Sequence, residues 1–135
     1  MPGKVKILAI DDEAKALSLF KLNMESYGYE VLATTSSKAG ILLAINEKPD
    51  LIILDIRMPE MDGWQICKKL KLNSVTNQIP VIFFTACSSS KAKEEAKRLG
   101  VYAYLIKPVD PDIVAELIKK VAADTGTYIK GEDQR

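Results

Sequence analysis

The sequence predicts an α/β protein built from five strand–helix units, with a parallel sheet covered by helices on both faces. Three observations carry this. Short runs rich in Val, Ile and Leu alternate with segments of helical periodicity along the chain. The run Leu51-Ile52-Ile53-Leu54 is apolar without alternation, as in a parallel strand buried on both faces. The chain has 135 residues, which fits one domain at roughly 150 residues each.

The first strand is expected over Val5 to Ile10, ending at Asp11 and Asp12. In the helix that follows, Leu17, Phe20, Met24 and Tyr27 recur at steps of three and four, one apolar stripe. Gly28 stops it, as a left-handed residue past a helix end does. Glu30 to Ala33 forms a short, less apolar second strand, placed nearer an edge. Ile41, Leu42 and Ile45 mark the second helix, and Pro49-Asp50 breaks the chain before the third strand, Leu51 to Leu54. Asp55 closes that strand. After the turn Met58-Pro59-Glu60-Met61-Asp62-Gly63, a third helix carries Ile66, Cys67 and Leu70.

Pro80 to Phe84 is the fourth strand and ends in Thr85. Ser88, Ser89 and Ser90 offer capping hydroxyls to the fourth helix. That helix is charged, with only Ala92, Ala96 and Leu99 as an apolar line, so it is expected to be well exposed. Gly100 ends it. Val101 to Ile106 is the fifth strand, leading into Lys107-Pro108. Asp110-Pro111 starts the fifth helix with a capping Asp and Pro at the first helical position. Ile113, Leu117 and Val121, flanked by Val114 and Ile118, are its expected buried face. From Asp124 the chain is polar and aperiodic. The domain is expected over residues 4–122, with 123–135 a polar tail or linker stub.

Composition narrows the chemistry. There is no His, so no His triad, His-ligated zinc, imidazole proton shuttle or phosphohistidine carrier can be built. Nineteen basic and eighteen acidic residues leave a net charge of +1, which argues against a strong nonspecific grip on nucleic acid or an anionic membrane. Two cysteines, Cys67 and Cys87, cannot make a disulfide scaffold. Cys67 falls at core spacing. No signal peptide and no apolar stretch of about 18 residues is visible. A cytoplasmic protein with reduced thiols is the expectation.

In open α/β sheets, ligands sit beyond the carboxyl ends of the strands. Asp11, Asp12, Asp55, Thr85 and Lys107 all fall there. Singly, each has an ordinary explanation: acids favour the start of a helix, Asp forms turns, Thr suits strands, and Lys-Pro is a common strand exit. Together they form a set of compatible chemistry at four strand ends. Three carboxylates in one crevice repel and need a cation or a proton at neutral pH. Hard oxygen ligands with room for water suit Mg²⁺. A divalent ion, the Thr85 hydroxyl and the Lys107 ammonium around one carboxylate form a cage for a phosphoryl group. Asp55 is central and is the natural nucleophile for an acyl phosphate.

At these residues the sequence resembles a known family. Asp11-Asp12, Leu51-Ile-Ile-Leu-Asp55, Met58-Pro-Glu-Met-Asp-Gly63, Thr85-Ala86 and Tyr104-Leu-Ile-Lys107-Pro108 look like the receiver domain of bacterial two-component response regulators. The resemblance covers residues 4 to 122. It implies a flavodoxin-like (βα)5 fold with strand order 2-1-3-4-5. It implies that Asp55 accepts a phosphoryl group from a phosphohistidine on a sensor histidine kinase or phosphotransfer protein. Asp12, Asp55 and the Arg57 backbone carbonyl would ligate Mg²⁺, for which Mn²⁺ can substitute, with Asp11 acting through water. Lys107 would pair with phosphoryl oxygens, its bond to Pro108 being cis. Thr85 would move to the phosphoryl group and Tyr104 would swing inward behind it. Arg57 and Cys87 would tune phosphoryl lifetime, Arg57 by shielding the acyl phosphate and Cys87 as a passive neighbour.

Such a chain catalyses its own phosphorylation and dephosphorylation but is first a signalling switch. The fourth helix, fifth strand and fifth helix, with Lys91, Glu94, Glu95, Lys97, Tyr104 and Lys119, would present the change to a downstream protein target. A phosphorylation-dependent homodimer through the same face is compatible with the sequence, and nothing demands it. An aspartyl-phosphate hydrolase usually carries a second Asp two residues after the nucleophile, where Arg57 stands. A flavin carrier needs a hydroxyl- and glycine-rich loop after the first strand, where Asp11-Asp12-Glu13 stands. A degenerate receiver that docks partners without phosphorylation would not need the complete acidic set.

Overall fold

The computed structural model describes residues 3–124. Ten elements alternate strictly: β1 (Lys6–Ile10), α1 (Ala14–Ser26), β2 (Glu30–Thr34), α2 (Ser37–Glu47), β3 (Leu51–Leu54), α3 (Gly63–Leu72), β4 (Val81–Thr85), α4 (Ser90–Leu99), β5 (Ala103–Ile106) and α5 (Pro111–Asp124). The sheet is parallel with order β2-β1-β3-β4-β5, the doubly wound arrangement expected. β2 is an edge strand. Ala123 and Asp124 belong to α5; the remainder of the expected tail lies outside the described residues.

Strand side chains alternate between two cores, which is why the middle strands are apolar throughout. Ile7, Ala9, Leu51, Ile53 and Ile82 join Leu17, Phe20 and Met24 of α1 and Val114, Ile118 and Val121 of α5. Leu8, Ile10, Ile52, Leu54 and Phe83 join Ala44 of α2, Ile66, Cys67 and Leu70 of α3 and Ala96 of α4. All four residues of β3 are buried. Ala96 is the one buried residue of α4, so that helix is as exposed as its charge predicts.

The helix ends follow local chemistry. Ser36 accepts from the Ala39 amide at the start of α2, and Ser89 from the Ala92 amide at the start of α4. Asp62 and Gln65 make a reciprocal capping box on α3. α1 ends before Gly28, whose φ is 93°.

Two expected faces need correction, and a third helix, α2, buries a face that its large apolar residues do not mark. Tyr27 is not on the α1 stripe: the helix stops at Ser26, and Tyr27 is exposed with its hydroxyl donating to Asp112 of α5. In α5, Ile113 is 58% exposed. The buried stripe is centred on Val114, Ile118 and Val121, and Ile113 lies a full helical step of about 100° from Val114. In α2 the buried residues are Ser37, Gly40 and Ala44, while Leu42 is exposed and Ile41 and Ile45 are half-buried. The cause is close packing. A Cβ at Gly40 would lie 2.5 Å from Ile10 Cδ1, so small residues let α2 settle onto β1 and push the large aliphatic side chains to the flanks.

Candidate functional site

The sheet delivers five polar residues to one edge. Asp11 and Asp12 follow β1, Asp55 follows β3, Thr85 is the last residue of β4, and Lys107 follows β5. The ladder continues beyond the strands and fixes this edge. The Asp55 amide donates to the Ile10 carbonyl at 3.0 Å, and the Lys107 amide to the Thr85 carbonyl at 2.8 Å. One carboxylate oxygen from each of Asp11, Asp12 and Asp55 lies within 4.8 Å of the others. Asp11 is buried, Asp55 half-buried and Asp12 exposed.

Lys107 spans the cluster. Its Nζ is 2.6 Å from Asp11 Oδ2 and 3.4 Å from Asp55 Oδ2. Burial pulls its pKa down, but the Asp11 carboxylate and then Asp55 more than offset this and hold it above the ordinary lysine value. The ammonium also lies 5.4 Å from the Phe84 ring centroid. The Lys107–Pro108 bond is cis. Asp11 Oδ1 accepts from the Glu13 amide at 2.9 Å, so this carboxylate is bound on both oxygens.

Three carboxylates therefore face one ammonium, an excess of negative charge carried on hard oxygens. That donor set fits a small hard divalent cation such as Mg²⁺. Asp11, Asp12 and Asp55 are the clustered carboxylates that could hold it. The Arg57 amide makes a long 3.4 Å contact with Asp55 Oδ1, and its side chain is exposed.

The chain after Asp55 is held by a close approach that the sequence does not announce. The Gly63 amide donates to the Ile56 carbonyl at 2.7 Å. A Cβ at Gly63 would sit 2.5 Å from the Asp55 carbonyl oxygen and 2.8 Å from Ile56 Cα, both backbone atoms that cannot swing away. Gly63→Ala is expected to destabilise the fold by about 1–3 kcal/mol, the usual cost of overpacking, as measured by urea denaturation.

Thr85 is buried, and its Oγ1 accepts from the Cys87 amide at 3.3 Å. The Tyr104 hydroxyl donates to the Cys87 carbonyl at 2.8 Å. Burial, with the neighbouring Cys87, pushes the Tyr104 phenol up to about 12. Thr85 and Tyr104 thus meet on the two sides of one residue. The Ser89 amide, the Tyr104 hydroxyl and the Arg57 charge lower the Cys87 thiol pKa. Cys67 is buried, and burial raises its pKa. Both thiols are free. Sequence reasoning missed the aromatic packing here: Trp64 lies edge-on to Phe83 at 5.0 Å, and Phe83 to Tyr104 at 6.1 Å. Each ring alone is an ordinary core residue, so only the contacts reveal it.

Residues 7–121 match the family model of the response regulator receiver domain. The chain belongs to this family. Protein PilH of Pseudomonas aeruginosa is 35% identical over 118 residues, which cover 87% of this chain and 98% of PilH. The alkaline phosphatase synthesis transcriptional regulatory protein PhoP of Bacillus subtilis is 34% identical over 116 residues, 86% of this chain but only 48% of PhoP. The receiver thus spans nearly all of one relative and about half of the other. Among solved structures, the chemotaxis protein CheY4 of Vibrio cholerae is similar with a TM-score of 0.83 and 27% identity, covering 88% of this chain and 99% of CheY4. A receiver domain protein from Clostridium thermocellum gives a TM-score of 0.84 at 29% identity, covering 93% of this chain and 99% of its own. Receiver domains work with histidine kinases or phosphotransfer proteins and with downstream targets. Among the described residues, no helix is long and apolar enough to cross a membrane.

Proposed function

We propose that this receiver takes a phosphoryl group from a partner's phosphohistidine onto Asp55 and so switches its α4–β5–α5 face between two states. The observation that carries this reading is the cluster of Asp11, Asp12 and Asp55 bridged by Lys107 at the sheet edge. An Asp55 carboxylate oxygen attacks phosphorus, the P–O bond forms, the P–N bond breaks, and the imidazole nitrogen keeps the electron pair. Lys107 moves its ammonium from Asp55 to a phosphoryl oxygen and holds it as charge passes to the Asp55 side. Asp12, Asp55 and the Arg57 carbonyl, with Asp11 through water, would hold Mg²⁺, which would supply charge neutralisation at the phosphoryl oxygens when bound; Mn²⁺, also suited to oxygen ligands, would substitute for it.

The phosphoryl group carries about −1.5 to −2 charges and three acceptor oxygens, and since the Asp55 carboxylate gives up its own charge to the acyl bond, the site gains about −0.5 to −1. Thr85 turns its hydroxyl from the Cys87 amide to one of these oxygens. The Cys87 backbone that Tyr104 grips is then released, and Tyr104 moves inward. The bias between states equals the difference in these contacts, nothing more. The reporting face includes exposed Lys91, Glu94, Lys97 and Lys119, with Glu95 and Tyr104 half-buried. A downstream protein, or a second copy on phosphorylation, would read that face. The unit that does this spans residues 4–122.

Arg57 is exposed beside the acceptor, where its long side chain covers the acyl phosphate from water. Arg57→Ala is therefore expected to lose its phosphoryl group a few-fold faster than the parent chain, followed as decay of the adduct after donor removal. Slower loss from the variant would contradict this role. The proposed switch is tested with beryllofluoride as a stable phosphoryl mimic. With Mg²⁺ it should shift the NMR signals of Thr85, Cys87 and Tyr104, and a chelator should reverse this. If beryllofluoride binds but leaves Tyr104 unmoved, the switch is wrong; if it does not bind, the chain is a docking module that works without phosphorylation.

A further inference from the structure

Four polar side chains are buried among the described residues: Asp11, Ser37, Thr76 and Thr85. Asp11 and Thr85 belong to the site. The Thr76 hydroxyl donates to the Leu70 carbonyl at 2.7 Å and closes the end of α3. Ser37 is left, 1% exposed in the first turn of α2. It is not the cap of that helix, a task done by Ser36. Its hydroxyl instead crosses 24 residues of sequence to donate to the Met61 carbonyl at 2.8 Å.

Met61 lies in the loop that follows Asp55. The Gly63–Ile56 bond closes this loop across its base, and burial of Ile56 and Met58 holds its start. Ser37 holds the far end and ties it to α2, a helix that is itself drawn onto β1 through Gly40. Arg57 stands within the segment so fixed, and Asp55 directly precedes it. We propose that Ser37 is a positioning residue for the phosphoacceptor loop: its hydroxyl fixes the loop so that Asp55 and the Arg57 carbonyl keep the geometry needed for the divalent ion and the incoming phosphoryl group. This rests on the phosphoacceptor reading above.

Ser37→Ala removes one oxygen and substitutes the best helix former, so α2 itself is not weakened. Thr76→Ala is the matched control, since it removes a buried hydroxyl that does not touch the loop. Ser37→Cys keeps the volume but donates weakly and serves if the alanine variant folds poorly. Three quantities are read on the whole chain: hydrogen exchange of the amides from Arg57 to Gly63, Mn²⁺ affinity by electron paramagnetic resonance, and the initial rate with acetyl phosphate at limiting and saturating Mg²⁺. Ser37→Ala should speed loop exchange and weaken Mn²⁺ binding by roughly tenfold, the size of one buried hydrogen bond. Its rate should fall at limiting Mg²⁺ and largely recover at saturation, with Ser37→Cys intermediate. Thr76→Ala should lower the melting temperature and leave the loop and the ion affinity unchanged. Wild-type loop exchange and ion affinity in Ser37→Ala would overturn the inference. A parent chain that binds no Mn²⁺ and takes no phosphoryl group would overturn the reading beneath it, whatever loop exchange showed.

Discussion

Asp55→Asn is expected to take up no measurable phosphoryl group from labelled acetyl phosphate, a fall on the order of 10⁴ or more in rate, as for loss of an enzyme nucleophile. The carboxamide oxygen has neither the charge nor the basicity to attack phosphorus, and no other residue is placed to replace it. Asp11 is tied on both oxygens, by the Glu13 amide and Lys107, and Asp12 is exposed and, unlike Asp11 and Asp55, forms no ion pair with Lys107. The same substitution removes one of the three clustered carboxylates. Mg²⁺ should therefore raise the melting temperature of Asp55→Asn less than that of the parent chain. An intact rate in the variant would place the acceptor elsewhere.

Lys107→Ala should be the next most damaging change. The ammonium bridges Asp11 and Asp55 at 2.6 and 3.4 Å, and in the proposed transfer to Asp55 it would stand where charge shifts. Loss of such a preorganised group costs roughly 10²–10³ in rate, read as phosphorylation at saturating Mg²⁺. Stability should also fall, because the variant leaves three carboxylates facing one another with no cation. Lys107 is partly solvated, so the loss is about 1 kcal/mol, and Mg²⁺ should restore most of it in urea denaturation. The pH dependence has a definite sign. The folded pKa of Lys107 is raised, so its stabilisation is complete below the unfolded value of about 10.4 and is lost as pH rises through the higher folded value. Between pH 6 and 9 neither stability nor rate should change through Lys107. A Lys107-dependent drop within that window, absent from Lys107→Ala, would contradict the assignment.

Much of this architecture was legible in the sequence because each strand carries its own punctuation. Leu51 to Leu54 is apolar on both faces and is cut by an acid. The same contrast marks Asp11 after β1 and Lys107 after β5, and the sheet-edge rule then brings these residues together. What was not legible depends on how closely elements approach. The buried face of α2 follows from Gly40 sitting on Ile10, and periodicity favours the larger Ile41 and Leu42. Tyr27 fits the α1 stripe by spacing, yet its helix ends one residue earlier and its hydroxyl reaches α5. Ile113 and Val114 are adjacent aliphatic residues, and only packing chooses between them. Ser37 looks like a second capping serine beside Ser36 until its long-range bond to Met61 is seen.

The candidate site shows the same division. Asp11, Asp12, Asp55, Thr85 and Lys107 were readable as residue types in register. The bonds through Cys87 that join Thr85 to Tyr104 were not, because they use backbone groups that every residue possesses. Coupling of the acceptor to the α4–β5–α5 face would pass through that shared residue.

The most direct test of the central claim is intact mass of the parent chain after incubation with Mg²⁺ and acetyl phosphate, followed by peptide mapping. The account predicts a single phosphoryl adduct that forms only with the divalent ion, is lost in alkali, and maps to the peptide containing Asp55. An alkali-stable adduct, an adduct on another peptide, or no adduct from a chain that also fails to bind beryllofluoride would contradict it.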